Sequence, residues 1–228
     1  MNSILIKALA AGIGEMVAFA AILFLTAGTI YWPGAWAFIV IMLVFIVVIT
    51  TMLARHDPDL LKERVRLPIQ PGQKAWDKVL MGAFTLLFIA WLPLMGFDAV
   101  RYQWSYVPAW LQVIGAIGLT VSFCFCYLVF RENAYLVMVV RIQKERGQHV
   151  VSTGPYRFVR HPLYASVLIF FPSIALLLGS CYGVAWAALM SALLVERTRL
   201  EDVTLMKELE GYPDYAARVR YRLVPGVW

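Results

Sequence analysis

The residues best suited to chemistry lie late in the chain, in the run Gly154-Pro155-Tyr156-Arg157-Phe158-Val159-Arg160-His161-Pro162-Leu163-Tyr164. Phenols, guanidiniums and an imidazole crowd together there. Gly-Pro is a turn signal, and a residue before proline, here His161, is pushed toward extended backbone. Pro162 then opens a long apolar run, so the segment reads as irregular, basic and aromatic at the mouth of a helical hairpin. Irregular backbone at membrane depth is tolerated only where protein buries it or where it lines a cavity. The same composition also describes an ordinary positively charged loop with interfacial tyrosines, and the residue types leave both readings open. A second constellation is Arg197 and Glu201, one helical turn apart and therefore on one face. A routine i,i+4 ion pair is one reading of it. Against that, arginine ahead of glutamate is the weaker order on an isolated helix, and the pair sits just below a span, where unsatisfied charge is costly.

The elements that must position these groups are membrane helices. Of 228 residues, 61% are hydrophobic and 15% charged, whereas a soluble domain carries roughly 25% charged residues. Residues 34–54, 79–97 and 107–130 are free of charge, and 8–30 contains only Glu15. One crossing of a ~30 Å hydrocarbon core takes about 20 residues. The uncharged stretch 162–195, at 34 residues, is too long for one span and fits a tight pair turning at Gly179-Ser180-Cys181-Tyr182-Gly183. The expected architecture is all-α: a polytopic integral membrane protein with about six transmembrane helices, including a C-terminal helical hairpin. Lys7 precedes an apolar run longer than a signal-peptide core and no small-residue cleavage site follows, so the first run reads as a retained span.

Charge sets the expected orientation. Every Lys and Arg except Arg101 falls on one side: Lys7, the basic loop 55–78, the segment 131–160 and the tail from Arg197 onward. The positive-inside rule makes that side cytoplasmic, with both termini inside. The net charge of +6 then reflects topology and anionic headgroups, not nucleic-acid binding. Cys124, Cys126 and Cys181 lie in apolar runs and read as small packing residues. His56 reads as a loop histidine. No GxGxxG follows a strand and no HExxH or His-rich cluster occurs, so neither a Rossmann-type cofactor site nor a metal is expected. The tail should continue the last span as a helix over 196–210, with Gly211 as its cap, Pro213 as its stop and a short stretch at 215–222. The chain divides at about residue 130: spans for anchoring and substrate access over 1–130, and the chemistry-bearing region over 131–228.

The motifs of that second region are similar to those of the isoprenylcysteine carboxyl methyltransferase family, which is related to membrane phospholipid methyltransferases. The similarity rests on His149-Val150-Val151-Ser152-Thr153-Gly154-Pro155-Tyr156 followed by Arg160-His161-Pro162-Leu163-Tyr164. It extends through Arg197-x-x-x-Glu201-Asp202-x-x-Leu205, Gly211-Tyr212-x-x-Tyr215 and Arg222-Leu223-Val224-Pro225. One departure is Ser166, where family members often carry glycine; it bears on helix packing more than on the cofactor. The resemblance covers roughly 130–228 and leaves substrate choice to the first spans.

The resemblance implies a membrane enzyme using S-adenosyl-L-methionine, with a cytoplasmic pocket built by the C-terminal third. Its cofactor-binding residues would be His149, Val151, Gly154, Tyr156, Arg160, His161, Pro162, Tyr164 and Glu201. Arg160 suits the cofactor's carboxylate, and Tyr156 and Tyr164 suit its sulfonium or adenine. Arg197, Glu201 and His161 would serve catalysis, Arg197 by holding an anionic acceptor and a histidine as a base. The expected acceptor is lipophilic: an isoprenoid, a prenylcysteine-like carboxylate or a lipid headgroup. A small thiol or amine acceptor is the alternative within the class. Outside it stand a transporter, for which Glu15 would be the intramembrane ionisable group, and a non-catalytic membrane scaffold. A bacterial inner membrane is the expected location, with membrane lipids as the expected surroundings and no nucleic-acid partner. Oligomeric state and acceptor atom are not readable from the residues.

Overall fold

The computed structural model describes residues 2–64 and 72–228, so Arg66, Pro68, Gln70 and Pro71 of the first basic loop lie outside the described residues. Eight α-helices occur among those described: α1 (Asn2–Ala27), α2 (Pro33–His56), α3 (Pro58–Arg64), α4 (Ala75–Gly96), α5 (Ala109–Glu132), α6 (Pro162–Leu178), α7 (Cys181–Glu208) and α8 (Tyr212–Arg218). The chain is therefore all-helical in its regular structure, as its unbroken apolar runs require: in hydrocarbon, only a helix satisfies its own backbone within one segment. Among the described residues, four segments are long and apolar enough to cross a membrane: Ser3–Ala27, Pro33–His56, Ala75–Arg101 and Ala109–Glu132. The third includes a π-helical turn, Phe97–Arg101, that continues α4. With 17 residues, α6 rises only about 25 Å at ~1.5 Å per residue. It is followed by the 28-residue α7, whose second half is charged.

The helices pack around one apolar centre. Leu23, Phe38, Trp91, Leu119, Ile174 and Met190, one each from α1, α2, α4, α5, α6 and α7, are all within 1% of full burial. Helices α5 and α6 approach closely because Gly115 has no side chain: a Cβ there would lie 2.5 Å from the Leu177 nitrogen and 2.7 Å from the Ser173 carbonyl. Polar groups inside the bundle are used as clips. Trp91 Nε1 donates to the Gly183 carbonyl at 2.8 Å, joining α4 to α7. Ser122 Oγ donates to the Ser166 carbonyl at 2.7 Å, joining α5 to α6. Ser166, the departure from the family pattern, turns its hydroxyl back to the Leu163 carbonyl and is buried without strain on its neighbours. Outward positions such as Val17, Val40, Leu86 and Ile117 are exposed apolar residues, which suits helices that face lipid.

At the end of the bundle away from the chemistry, Asp98 is fully buried and accepts from the Ser105 and Ser180 hydroxyls at 2.7 and 2.5 Å. Ser180 Oγ also accepts from the Gly183 nitrogen, capping α7. The turn between α6 and α7 is thereby reduced to Gly179 and Ser180, tighter than the expected five residues.

Two details differ from the sequence reading. The basic loop after α2 is not wholly irregular: Asp57 caps α3 by accepting from the Leu60 nitrogen at 2.9 Å. The long tail helix ends at Glu208, before Gly211. Gly211 instead stands at φ 75° as the residue that opens α8, and Pro213 lies in the first turn of α8 as a starter. Proline suits a first helical turn because its missing N–H would be unpaired there anyway.

Candidate active site

The segment 154–164 is irregular, as its Gly-Pro and His-Pro pairs require. Gly154 adopts φ 54°, and a Cβ there would meet the Glu132 side chain at 2.5 Å. The turn so formed places Thr153 Oγ1 on Glu132 Oε2 at 2.7 Å and buries Tyr156. Tyr156 accepts from Asn133 Nδ2 at 2.7 Å, and its carbonyl accepts from the Tyr215 hydroxyl at 2.8 Å. Burial pushes the Tyr156 phenol well above its ordinary pKa, so it stays neutral and can donate.

Further along, the backbone is held by the chain's last residues. The Arg160 and His161 nitrogens each donate 2.9 Å bonds, to the Tyr221 and Arg222 carbonyls. Their side chains converge with the tail on Asp202, which is 3% exposed. Arg160 Nη2 and Arg222 Nε reach Asp202 Oδ2 at 3.0 and 2.9 Å. Tyr212 donates to Oδ1 at 2.8 Å, and His161 Nε2 lies 3.2 Å from the same atom. Burial alone would raise the Asp202 carboxyl. The hydrogen bonds from His161, Tyr212 and Arg222 outweigh it and hold the group far below the usual carboxylate range. Burial raises the Tyr212 phenol in turn, reinforced by the Asp202 charge.

Arg197 and Glu201 do not pair with each other. Arg197 Nε donates to Asp77 Oδ1 at 2.9 Å and its Nη2 to the Met138 carbonyl at 2.8 Å, while its guanidinium lies 5.3 Å over the Tyr164 ring. Asp77, on the first turn of α4, is fully buried and also accepts from Gln73 Nε2 and the Val140 nitrogen, each at 2.9 Å. Glu201 is partly open and accepts from the Tyr164 hydroxyl at 2.5 Å. The Tyr164 ring lies parallel to the His161 ring, with centroids 5.8 Å apart. The surface ion pair is thus replaced by two coupled contacts, Asp77–Arg197 and Tyr164–Glu201.

These groups share the wall of a cavity of about 650 Å³. His149, Val151, Tyr156, Arg160, His161, Tyr164, Arg197 and Glu201 all line it. Gly154 and Pro162 act from outside the wall, the first by shaping the turn and the second by starting α6. His149 is exposed at the rim, 3.0 Å from the Tyr135 hydroxyl. On the far side the cavity is apolar, walled by Met42, Phe45, Phe84, Phe88, Phe123 and Phe171, and it reaches Glu15 on α1. Asp202, Tyr212, Tyr215 and Arg222 belong to the tail motif yet were not expected to carry the site. Their signal was motif spacing alone. Asp77 gave a weaker one, a lone acid between Lys74 and Lys78 at the foot of a span.

Residues 135–207 match the model of the isoprenylcysteine carboxyl methyltransferase (ICMT) family. Over 119 residues the chain is 28% identical to the nickel-cobalt-cadmium resistance protein NccN of Alcaligenes xylosoxydans xylosoxydans, covering 51% of this chain and 52% of that one. It therefore spans about half the length of this curated relative. The fold is similar to that of the eukaryotic intramembrane Ras methyltransferase ICMT, with a TM-score of 0.56 at 16% identity, over 93% of this chain and 74% of that chain.

Proposed function

We propose that this chain, whose residues 135–207 match the model of the isoprenylcysteine carboxyl methyltransferase family, transfers a methyl group from S-adenosyl-L-methionine to a lipophilic acceptor at the cytoplasmic membrane face. The observation that carries this reading is the single continuous cavity: one wall is made of phenols, guanidiniums and a carboxyl, the other of apolar side chains from the membrane helices. A water-borne substrate needs no such second wall. An acceptor with a long apolar chain does.

The residues present suit the cofactor. Arg160 lines the cavity with its guanidinium held against Asp202, so its charge would meet a cofactor carboxylate from a fixed position. His149 and Tyr156 offer polar atoms and ring faces around it, and Val151 supplies apolar wall. When bound, S-adenosyl-L-methionine supplies a methyl group on a cationic sulfur that leaves as a neutral thioether. Glu201, with one oxygen engaged by Tyr164, would present an already oriented carboxyl to the cationic donor or the acceptor. Arg197, fixed by Asp77, carries positive charge next to Tyr164 and Glu201. The apolar wall excludes water, which strengthens these electrostatic effects and removes a competing nucleophile. Helices α6 and the first half of α7 complete the six-span arrangement as a short transmembrane hairpin, with both termini cytoplasmic.

The test is direct. Purified protein is incubated with methyl-labelled cofactor and a total lipid extract, and labelled products are identified by mass spectrometry. Label in a lipid-soluble ester, ether, amine or thioether supports the reading and names the acceptor atom. Absence of both labelled product and S-adenosylhomocysteine binding would overturn it.

A further inference from the structure

Arg64, at the end of α3, is a cation inside the cavity with no carboxylate to balance it. All fourteen acidic residues of the chain lie in the described part, and none forms an ion pair with Arg64. The neighbouring Glu63 is turned to Arg141 instead. Arg64 makes one hydrogen bond, Nη1 to the Leu136 carbonyl at 3.0 Å, and its guanidinium lies 4.4 Å over the Phe130 ring. Both contacts fix its direction without neutralising it. Burial pulls its pKa below the ordinary arginine value, which is the mark of a desolvated charge without a counter-ion. Arginine stays protonated even so, and a half-buried guanidinium without a counter-ion is costly to maintain. The other cavity arginines each have a carboxylate beside them: Arg141 has Glu63 and Glu145, Arg160 has Asp202 and Arg197 has Asp77.

Arg64 belongs to the wall built by the N-terminal half, where α2, α3 and the end of α5 pack through Leu53, Leu60 and Phe130. The cofactor motif packs in the adjoining cluster with Tyr156, Tyr212 and Tyr215, and Leu136 and Leu163 touch both. Met42 and Phe45 of α2, packed against the central apolar cluster, line the same cavity.

From this placement we infer that Arg64 holds the anionic end of the lipophilic acceptor, whose apolar chain lies along the α2 wall. The inference rests on the proposed methyl transfer for the word acceptor, but the binding event stands apart from it. Here Arg64 takes the part first expected of Arg197, two of whose nitrogens, Nε and Nη2, Asp77 and the Met138 carbonyl already occupy. The fork geometry of a guanidinium suits a carboxylate or a phosphate monoester, and the probe chosen is a carboxylate.

Binding is measured on protein in zwitterionic nanodiscs with a C15 prenyl thioether bearing a carboxylic acid, and with its neutral primary amide. Wild type is expected to prefer the acid by about tenfold or more, the range for a hydrogen bond to a charged group. Arg64→Gln should abolish that preference by weakening the acid alone, and Arg64→Lys should keep part of it. Affinity for S-adenosylhomocysteine should stay the same in all three proteins, which also reports folding. Equal binding of acid and amide by wild type overturns the inference without any variant. So does a preference that survives in Arg64→Gln, or a loss confined to S-adenosylhomocysteine, which would move Arg64 to the cofactor. Arg64-dependent binding of the acid in a protein that methylates nothing would overturn the methyl-transfer reading while leaving this one standing.

Discussion

Glu201 and Arg197 sit on one helix face, yet their surroundings give them different sensitivities. Glu201 has one partner, the Tyr164 hydroxyl, and is partly open to the cavity. Glu201→Gln keeps its shape and a hydrogen bond while removing its capacity for negative charge. It should cut turnover by about 10²-fold or more, equivalent to about 2.7 kcal/mol of barrier, with the melting temperature in detergent nearly unchanged. Near-normal turnover would make the contact structural. Asp77→Asn should behave otherwise. It strands the buried Arg197 charge, and breaking a buried pair costs about 3–5 kcal/mol. A large drop in melting temperature should therefore accompany its loss of activity, and adding Arg197→Met should recover stability but not turnover. Only part of this was legible in the sequence. Spacing placed Arg197 and Glu201 on one face and weighed against a mutual ion pair, but it did not name the partners that each takes instead. The partner Asp77 is 120 residues away, and no local pattern encodes a contact of that separation.

Between elements, the irregular segment before α6 is held by the tail through Asp202. Arg160, His161, Tyr212 and Arg222 come from two loops and α8, and they meet at one carboxylate. The folded pKa of Asp202 is depressed, so the sign is fixed: its contribution is present above the unfolded value, near about 3.9, and is lost as pH falls below that toward the folded value. Melting temperature should therefore decline as the pH is lowered from about 5 toward 3, and Asp202→Asn should start lower and decline less over the same range. Parallel curves for the two proteins would remove Asp202 from the acid response. The elements themselves were largely readable. Long uncharged runs marked the helices because lipid leaves the backbone no other solution. The short helices α3 and α8 were harder: their seven residues each are too few for a periodic signal, and Gly211-Tyr212-Pro213 can end one helix or begin another. What decided it was tertiary: Tyr212 and Tyr215 are buried against the motif loop.

For the molecule as a whole, orientation follows from asymmetry between its two ends. One end carries Arg101 with exposed Tyr102, Trp104, Tyr106, Trp110 and Tyr182, an aromatic girdle of the kind that sits at a membrane interface. The other end carries the cavity mouth, α8 and the remaining basic residues among those described. If the basic end is cytoplasmic, a cofactor made in the cytoplasm reaches His149 and Arg160 without crossing the bilayer, while an acceptor enters from lipid along the apolar wall. Gln70, in the first basic loop, would report this sidedness but lies outside the described residues, so exposed positions at each end serve better. Gln103 is exposed beside the girdle and Asp214 is exposed on α8. In a background with Cys124, Cys126 and Cys181 replaced, Gln103→Cys should react with a membrane-impermeant maleimide on intact cells. Asp214→Cys should react only after the membrane is permeabilised. Reaction of both from outside would overturn the crossing number, because an even count of spans keeps both termini on one side with Gln103 opposite. Reaction of Asp214→Cys alone from outside would keep the bundle but invert it, and would leave the cavity mouth facing away from its cofactor.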